Sequence, residues 1–263
     1  MREFPSNNKK IVVKISTQMI TDGVDKIYFD KIKEFVKEVV DLENQGYQIV
    51  IVSSGAIGCG LAKLGLKERP KDYKQLQALA SVGQIHLISV YQNEFNKYGY
   101  NVGQILLSAD DTKDSMRRSN VRNTLEVLLN KGIIPIINEN DSVAIEELRY
   151  GDNDTLSALV ATLLFVDLLI ILTDVEGLFD KNPKLHSDSK LIEQVDHIDE
   201  KIECLAQDID SGITFGGMAS KIKAIKKLTN IGIPAVMTSF KNEKIIKRIL
   251  DGEQVGTYFL AQK

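Results

Sequence analysis

Short apolar runs alternate along the chain with longer stretches in which apolar residues recur every three to four positions, the pattern of an α/β protein. Lys10 to Ile15 reads as a first strand. Tyr47 to Val52, Tyr100 to Leu107, Ile133 to Ile137, Leu168 to Leu172, Pro234 to Thr238 and Val255 to Leu260 read as those that follow. Between the first two, Ile27 to Leu42 sets Ile27, Ile32, Phe35, Val36, Val39, Val40 and Leu42 at helical spacing, and Gly46 closes it. Asp72 to Tyr98 reads as one long helix with Leu76, Leu79, Val82, Ile85, Ile88, Val90 and Phe95 on its apolar side, and its length suggests a packing or oligomer face. Further helices are expected to about Leu64, over Asp110 to Asn130, through the run Leu156 to Val166, over Glu200 to Gln207, through Lys221 to near Asn230, and over Asn242 to Leu250. The architecture this implies is α/β, a mainly parallel central sheet sandwiched by helices, in two lobes. After Thr173-Asp174 the texture turns to the loop-like stretch Val175 to Lys190, so the lobes are expected to divide as 1–172 and 173–263.

Polar residues gather where these runs end, and in an open α/β sheet that is where ligands bind. Ile133 to Ile137 empties into Asn138-Glu139-Asn140-Asp141-Ser142, Gly151-Asp152-Asn153-Asp154-Thr155 opens the next helical run, and Leu172 delivers Thr173-Asp174. Each cluster taken alone also fits a helix cap or an Asx turn. Lys14 near the end of the first strand either snorkels to solvent or meets an anion. Ser53-Ser54-Gly55-Ala56-Ile57-Gly58-Cys59-Gly60 joins a strand to a helix, an arrangement that offers backbone N–H groups to an anion or simply packs tightly. It is neither a Walker A loop nor a dinucleotide fingerprint, since its glycines fall as GxxGxG. Lys221, about one turn inside a helix preceded by Gly216-Gly217, can reach back to an anion at that helix start or stay solvated.

Composition narrows the classes. The 263 residues suffice for one large or two modest domains, and 43% hydrophobic with 26% charged residues is ordinary for a globular protein. The 33 basic and 36 acidic residues are interspersed to a net charge of −3, which argues against a nucleic-acid partner. Polar interruptions at Ser157, Thr162 and Asp167 make the longest apolar stretch unfit to span a bilayer, and Met1 to Lys10 has no signal-peptide core, so no membrane association and a cytoplasmic location are expected. Cys59 and Cys204 read as free thiols, and His86, His186 and His197 show no metal-ligand spacing, so no protein-held metal is expected. Two lysines, two glycine-bearing helix starts and an acidic and amide cluster suit phosphoryl transfer, which needs cations and backbone donors more than a covalent nucleophile. Magnesium then arrives with the nucleotide, because it prefers phosphate oxygens and water.

Six stretches in order resemble the motifs of the glutamate 5-kinases, within the amino acid kinase superfamily: Lys14-Ile15-Ser16-Thr17, Ile51 to Ile57, Pro135 to Asp141, Gly151 to Asp154, Leu172 to Leu178, and Gly216 to Lys221. The resemblance runs nearly the length of the chain. It implies transfer of phosphate from ATP with Mg2+ to the side-chain carboxylate of L-glutamate, giving glutamyl 5-phosphate in the first step of proline biosynthesis. It further implies that Lys14 and Lys221 neutralise the moving phosphoryl while Asp154 orients them. Ser54, Asp141 and Asn153 would hold glutamate, and Lys14, Thr173, Asp174, Phe215, Gly216, Gly217, Met218, Ala219, Ser220 and Lys221 would border the nucleotide, so the first lobe would take the amino acid and the second ATP. A homo-oligomer and feedback inhibition by proline are implied by the family alone. The sequence departs from the family at Ser16, where glycine is usual, and at Phe215, where threonine is common, and it stops where many relatives continue into a PUA domain, so a short form without that domain is expected. The alternatives are a relative acting on N-acetylglutamate, aspartate, carbamate or UMP, of which Asp141 as a partner for a free ammonium disfavours the acetylated amine and the nucleotide, and a non-catalytic binding protein on the same fold.

Overall fold

The apolar runs become buried strands. In chain order the elements are β1 (Lys10–Ile15), α1 (Thr17–Ile20), α2 (Phe29–Glu43), β2 (Gln48–Ser53), α3 (Ala56–Leu64), α4 (Tyr73–Asn96), β3 (Val102–Leu107), α5 (Ser115–Asn130), β4 (Ile134–Glu139), α6 (Asn153–Leu164), β5 (Leu168–Thr173), β6 (Gln194–Val195), α7 (Glu200–Ile209), α8 (Met218–Thr229), β7 (Ala235–Ser239), α9 (Ile245–Leu250) and β8 (Thr257–Phe259). They are taken from a computed structural model that describes residues 9–23, 26–108, 110–144, 153–183, 185–209 and 217–262. The fold is the expected α/β class, a mostly parallel eight-stranded sheet flanked by helices. Only the β7–β8 pair, among those given a register, runs antiparallel.

The chain divides into two compact units, one of residues 1–14 with 151–263 and the other of 15–150. This differs from a division between Leu172 and Thr173. Residues expected in the first lobe, the body of β1 together with α6 and β5, pack instead with the C-terminal stretch, and long-range pairing is the reason. Lys10 N donates to Asp167 Oδ2 at 3.0 Å, and Asp167 N donates back to Lys10 O at 2.9 Å, fixing the start of β1 beside the entrance to β5. β5 then pairs in parallel with β7 from Leu169↔Ala235 to Thr173↔Ser239. Within this unit the strand order is β1-β5-β7-β8-β6, and α8 packs on α6 and α7. β5 and β7 are buried along their whole length, so both faces of the sheet are covered there.

In the unit 15–150 the order is β3-β4-β2, and β4 runs parallel to both neighbours. α4 is the backbone of this unit. A Cβ on Gly83 would stand 1.8 Å from Ala56 O and one on Gly60 2.1 Å from Leu79 O, so α3 and α4 meet backbone to backbone and neither glycine tolerates a side chain. That contact corrects the expected apolar side of the helix. Leu79, Leu87, Val90 and Phe95 are buried, as are Gly83, Gln84 and Tyr91, but Ile85 is 71% and Val82 37% exposed. The close approach turns Gly83 rather than its larger neighbours toward α3.

Other boundaries shift for local reasons. The helix expected from Asp110 makes a 3-10 turn at Asp110–Thr112, and α5 starts at Ser115 because Asp114 accepts from Arg117 N at 2.8 Å as its cap. Asn138 and Glu139, expected in a loop, are the buried last residues of β4, since their backbones continue the ladder with Leu106 and Leu107. α9 begins at Ile245 rather than Asn242, behind Lys244 in a left-handed conformation. α1 and β6, of four and two residues, are too short to leave a periodic signal. Among the described residues no helix is long and apolar enough to cross a membrane.

Candidate active site

Three residues from separate parts of the chain meet in the unit 1–14 with 151–263. Lys14, one residue before the end of β1, is 3% exposed, and Lys221, in the first turn of α8, is 6% exposed. Between them Asp154, in the first turn of α6, is fully buried. Lys14 Nζ lies 2.6 Å from Asp154 Oδ1, and Lys221 Nζ lies 3.0 Å from Asp154 Oδ2. One carboxylate thus engages a different ammonium with each oxygen. The two readings of Lys14 are thereby decided in favour of an anion, and Lys221 is not a solvated helix lysine. Buried charges persist only when paired, so this arrangement holds two cations in a fixed position away from bulk water.

Local structure explains how the cluster forms. α6 and α8 pack together, so their first turns carry Asp154 and Lys221. Lys221 Nζ also donates to Gly217 O at 3.4 Å, curling back toward the start of its own helix, where the backbone dipole favours an anion. The backbone oxygen of Asp154 accepts from Ser157 Oγ at 2.7 Å. Asn153 precedes it, buried to 7% exposure. In the same unit Thr173 ends β5 and donates from Oγ1 to Asp174 Oδ1 at 3.2 Å, while Asp174 itself is exposed. Gly217 caps α8 in an extended conformation, with Met218, Ala219 and Ser220 forming its first turn. Phe215 and Gly216, expected beside the nucleotide, lie outside the described residues, as do Gly151 and Asp152.

The unit 15–150 carries the other expected residues. Ser54 follows β2 and donates its N–H to Ile15 O at 3.2 Å. Gly55 after it adopts φ 109°, a conformation that admits glycine at little cost, and so turns the chain sharply into α3. Asp141 stands half-buried two residues beyond β4. β2 and β4 pair in parallel with Val52 opposite Ile137, so the Ser54 turn and the Asp141 loop both follow the carboxyl ends of neighbouring strands. Ser16, where glycine was expected, sits at φ −76°, so no left-handed geometry excludes a side chain there; its buried Oγ has no hydrogen-bond partner among the described residues. Burial pushes the Cys59 thiol up to about 12, which leaves it an inert core residue, and Cys204 is a free, exposed thiol.

An aspartate at the start of α6 thus holds one lysine from β1 and one from the start of α8. The model of the amino acid kinase family matches residues 9–239. The chain belongs to the amino acid kinase family. It is 43% identical over 258 residues to a glutamate 5-kinase of Clostridium acetobutylicum, covering 98% of this chain and 97% of that protein. A glutamate 5-kinase of Listeria innocua is 44% identical over 267 residues, covering 100% of this chain and 97% of that protein. The fold of this amino acid kinase is similar to that of a carbamate kinase from Giardia lamblia solved with AMP-PNP, with a TM-score of 0.67 at 15% identity over 97% of this chain and 99% of that one. It is also similar to a UMP kinase from Bacillus anthracis, with a TM-score of 0.64 at 14% identity over 97% of each chain.

The sequence left some participants unseen. On α4, Gln84 bonds Asn138 at the end of β4, Tyr91 bonds Ser53 at the end of β2 and Tyr73 bonds Ala144 O in the loop after β4, and only the recurrence of polar residues along one side of that helix hinted at them.

Proposed function

We propose that this amino acid kinase phosphorylates the side-chain carboxylate of L-glutamate with MgATP, giving glutamyl 5-phosphate and ADP, the first step of proline biosynthesis. The bridged Lys14–Asp154–Lys221 cluster is the single observation that carries the reading, beside the similarity to glutamate 5-kinases. A glutamate carboxylate is ionised at neutral pH, so its oxygen attacks the γ-phosphorus without a general base. One O–P bond forms, the bond from the γ-phosphorus to the bridging oxygen breaks, and ADP leaves with that electron pair. Lys14 and Lys221 neutralise charge on the equatorial and leaving oxygens, and Asp154 fixes both ammonium groups before the reaction, which saves reorganisation at the transition state. Asp141 pairs with the substrate ammonium, while Ser54 and Asn153 supply a hydroxyl and an amide to its carboxylates. Thr173, Asp174 and the stretch from Phe215 to Lys221 border the nucleotide. Magnesium enters as part of MgATP, held by phosphate and water.

The test is a coupled ADP-release assay with ATP, magnesium and a panel of glutamate, N-acetylglutamate, aspartate and UMP. Turnover is expected with glutamate, lost on chelation and restored by magnesium. A preference for any other acceptor would overturn the assignment. A cytoplasmic enzyme, a homo-oligomer and inhibition by proline belong to the same reading on family resemblance, and light scattering with a proline titration tests the last two.

A further inference from the structure

Helix α4 carries a run of hydrogen-bonding side chains at Tyr73, Gln77, Ser81, Gln84 and Tyr91, spaced by four, four, three and seven residues and so confined to one side of the helix. All five bond to the carboxyl ends of β2 and β4 or to the loop beyond. Tyr73 Oη donates to Ala144 O, and Gln77 Nε2 donates to the same oxygen at 3.2 Å. Ser81 Oγ and Ser142 Oγ lie 2.7 Å apart. Gln84 Oε1 accepts from Asn138 Nδ2 at 2.8 Å in a buried contact. Tyr91 Oη lies 3.0 Å from Ser53 Oγ, and Ser53 Oγ donates to Ser54 O at 3.0 Å, so the chain of bonds reaches the Ser54 turn.

Gln84 and Tyr91 of this row are buried, Tyr73 and Gln77 are half-buried, and Ser81 is exposed. An apolar face would seat α4 at less cost, because each buried polar group must find a partner. Each of the five has a partner within residues 53–54 or 138–144, the segments bearing Ser54 and Asp141, and Ser81 Oγ also donates to Gln77 O at 3.0 Å within the helix. The backbone contact of Gly83 with Ala56 O, at the helix start that follows the Ser54 turn, fixes α4 to the same place. Asn138 is in turn held through its Oδ1, which accepts from Glu139 N at 2.9 Å, so the position of Gln84 passes directly to the end of β4.

We propose that this face of α4 shapes the amino-acid site, and that Gln84 is a positioning residue for glutamate recognition, acting through Asn138 and the Asn140–Ala144 turn. The inference rests on the function proposed above for its choice of ligand. Its structural half does not. Val143 N and Ala144 N both donate to Asn140 O, at 3.1 and 3.0 Å, and their exchange with solvent reports whether the turn is held.

The experiment combines amide hydrogen exchange on the ligand-free protein with steady-state kinetics, for Gln84→Leu and for Tyr73→Phe, which removes a single oxygen and keeps the fold where Gln84→Leu fails to. Exchange at Val143 and Ala144 is expected to accelerate about tenfold in either variant, with the strands of the other unit unchanged. KM for glutamate is expected to rise about tenfold in Gln84→Leu and threefold in Tyr73→Phe, with kcat and KM for ATP within twofold of the parent. Unchanged exchange at the turn overturns the proposal. So does an equal loss for both substrates, which marks a role in stability alone. If the parent protein turned over no glutamate, the function reading would fall by itself, and exchange at Val143 and Ala144 would still decide whether α4 holds the turn.

Discussion

Replacing Asp154 with asparagine removes one charge and almost no volume from the centre of the lysine cluster. We predict two separable losses. Asp154 is fully buried and takes part in ion pairs of 2.6 and 3.0 Å, so the variant leaves two buried ammonium groups without their shared anion. Breaking a buried pair in this way costs about 3–5 kcal/mol, and for a chain of this size that lowers Tm by on the order of 10 °C. The second loss is catalytic. Loss of one preorganised electrostatic group costs about 10²- to 10³-fold, and Asp154 orients two such groups, so kcat is expected to fall about 10³-fold, or ~4 kcal/mol. In the proposed division of roles Asp154 acts on the lysines and not on either substrate, so KM for glutamate and for ATP should each stay within threefold. The assay is ADP release with each substrate varied in turn, below the lowered Tm and beside a thermal melt. A variant that melts early yet keeps kcat within tenfold of the parent would show that the cluster serves stability alone. A raised KM for ATP with kcat retained would make Asp154 part of ground-state binding and refute the division of roles.

Three further outcomes are expected. Lys221→Ala, and likewise Lys14→Ala, should lower kcat by about 10²-fold or more with a smaller change in KM, measured by the same assay; near-parental turnover would return that lysine to a structural role. Asp141→Asn should raise KM for glutamate by about 10- to 150-fold, the worth of a charge-assisted bond of about 1.5–3 kcal/mol, and leave KM for ATP unmoved. Glu43, whose Oε1 accepts from Ile49 N at 2.7 Å, is raised by desolvation to about 7, against the lowering effect of that bond. Its folded pKa lies above the unfolded one, so its contribution is present in full below the unfolded value of 4.5 and is lost as pH rises through about 7. Glu43→Gln, which keeps the acceptor without the charge, should therefore be more stable than the parent at pH 8 by about 1 kcal/mol after discounting for partial exposure, with the advantage gone by pH 4.5 in denaturant melts.

The amino-acid sequence by itself determined what is set by neighbours along the chain. β1 spans Lys10–Ile15 as the apolar run does, α2 buries six of the seven residues that its periodicity selects, and Gly55 takes the positive φ that a strand-to-helix turn of this kind requires. The ordered motifs also placed Lys14, Asp154 and Lys221 among the candidates before any geometry was known. What they do to one another was decided by the tertiary structure, since one carboxylate reaching two lysines depends on the packing of α6 on α8 beside the end of β1, and no local pattern encodes such a distance. The same holds for α4. Its apolar residues are spread around the helix, so periodicity does not choose between turning Val82 and Ile85 or Gly83 and Gln84 inward. The choice came from α3, whose backbone approaches closely enough to admit only glycine at 83, and from Asn138, which offers Gln84 a buried partner. Helical spacing specifies which residues share a face. Which face meets the core, and whether a polar residue there is a defect or a support for the site, is fixed only when the second surface arrives with its own shape and its own donors.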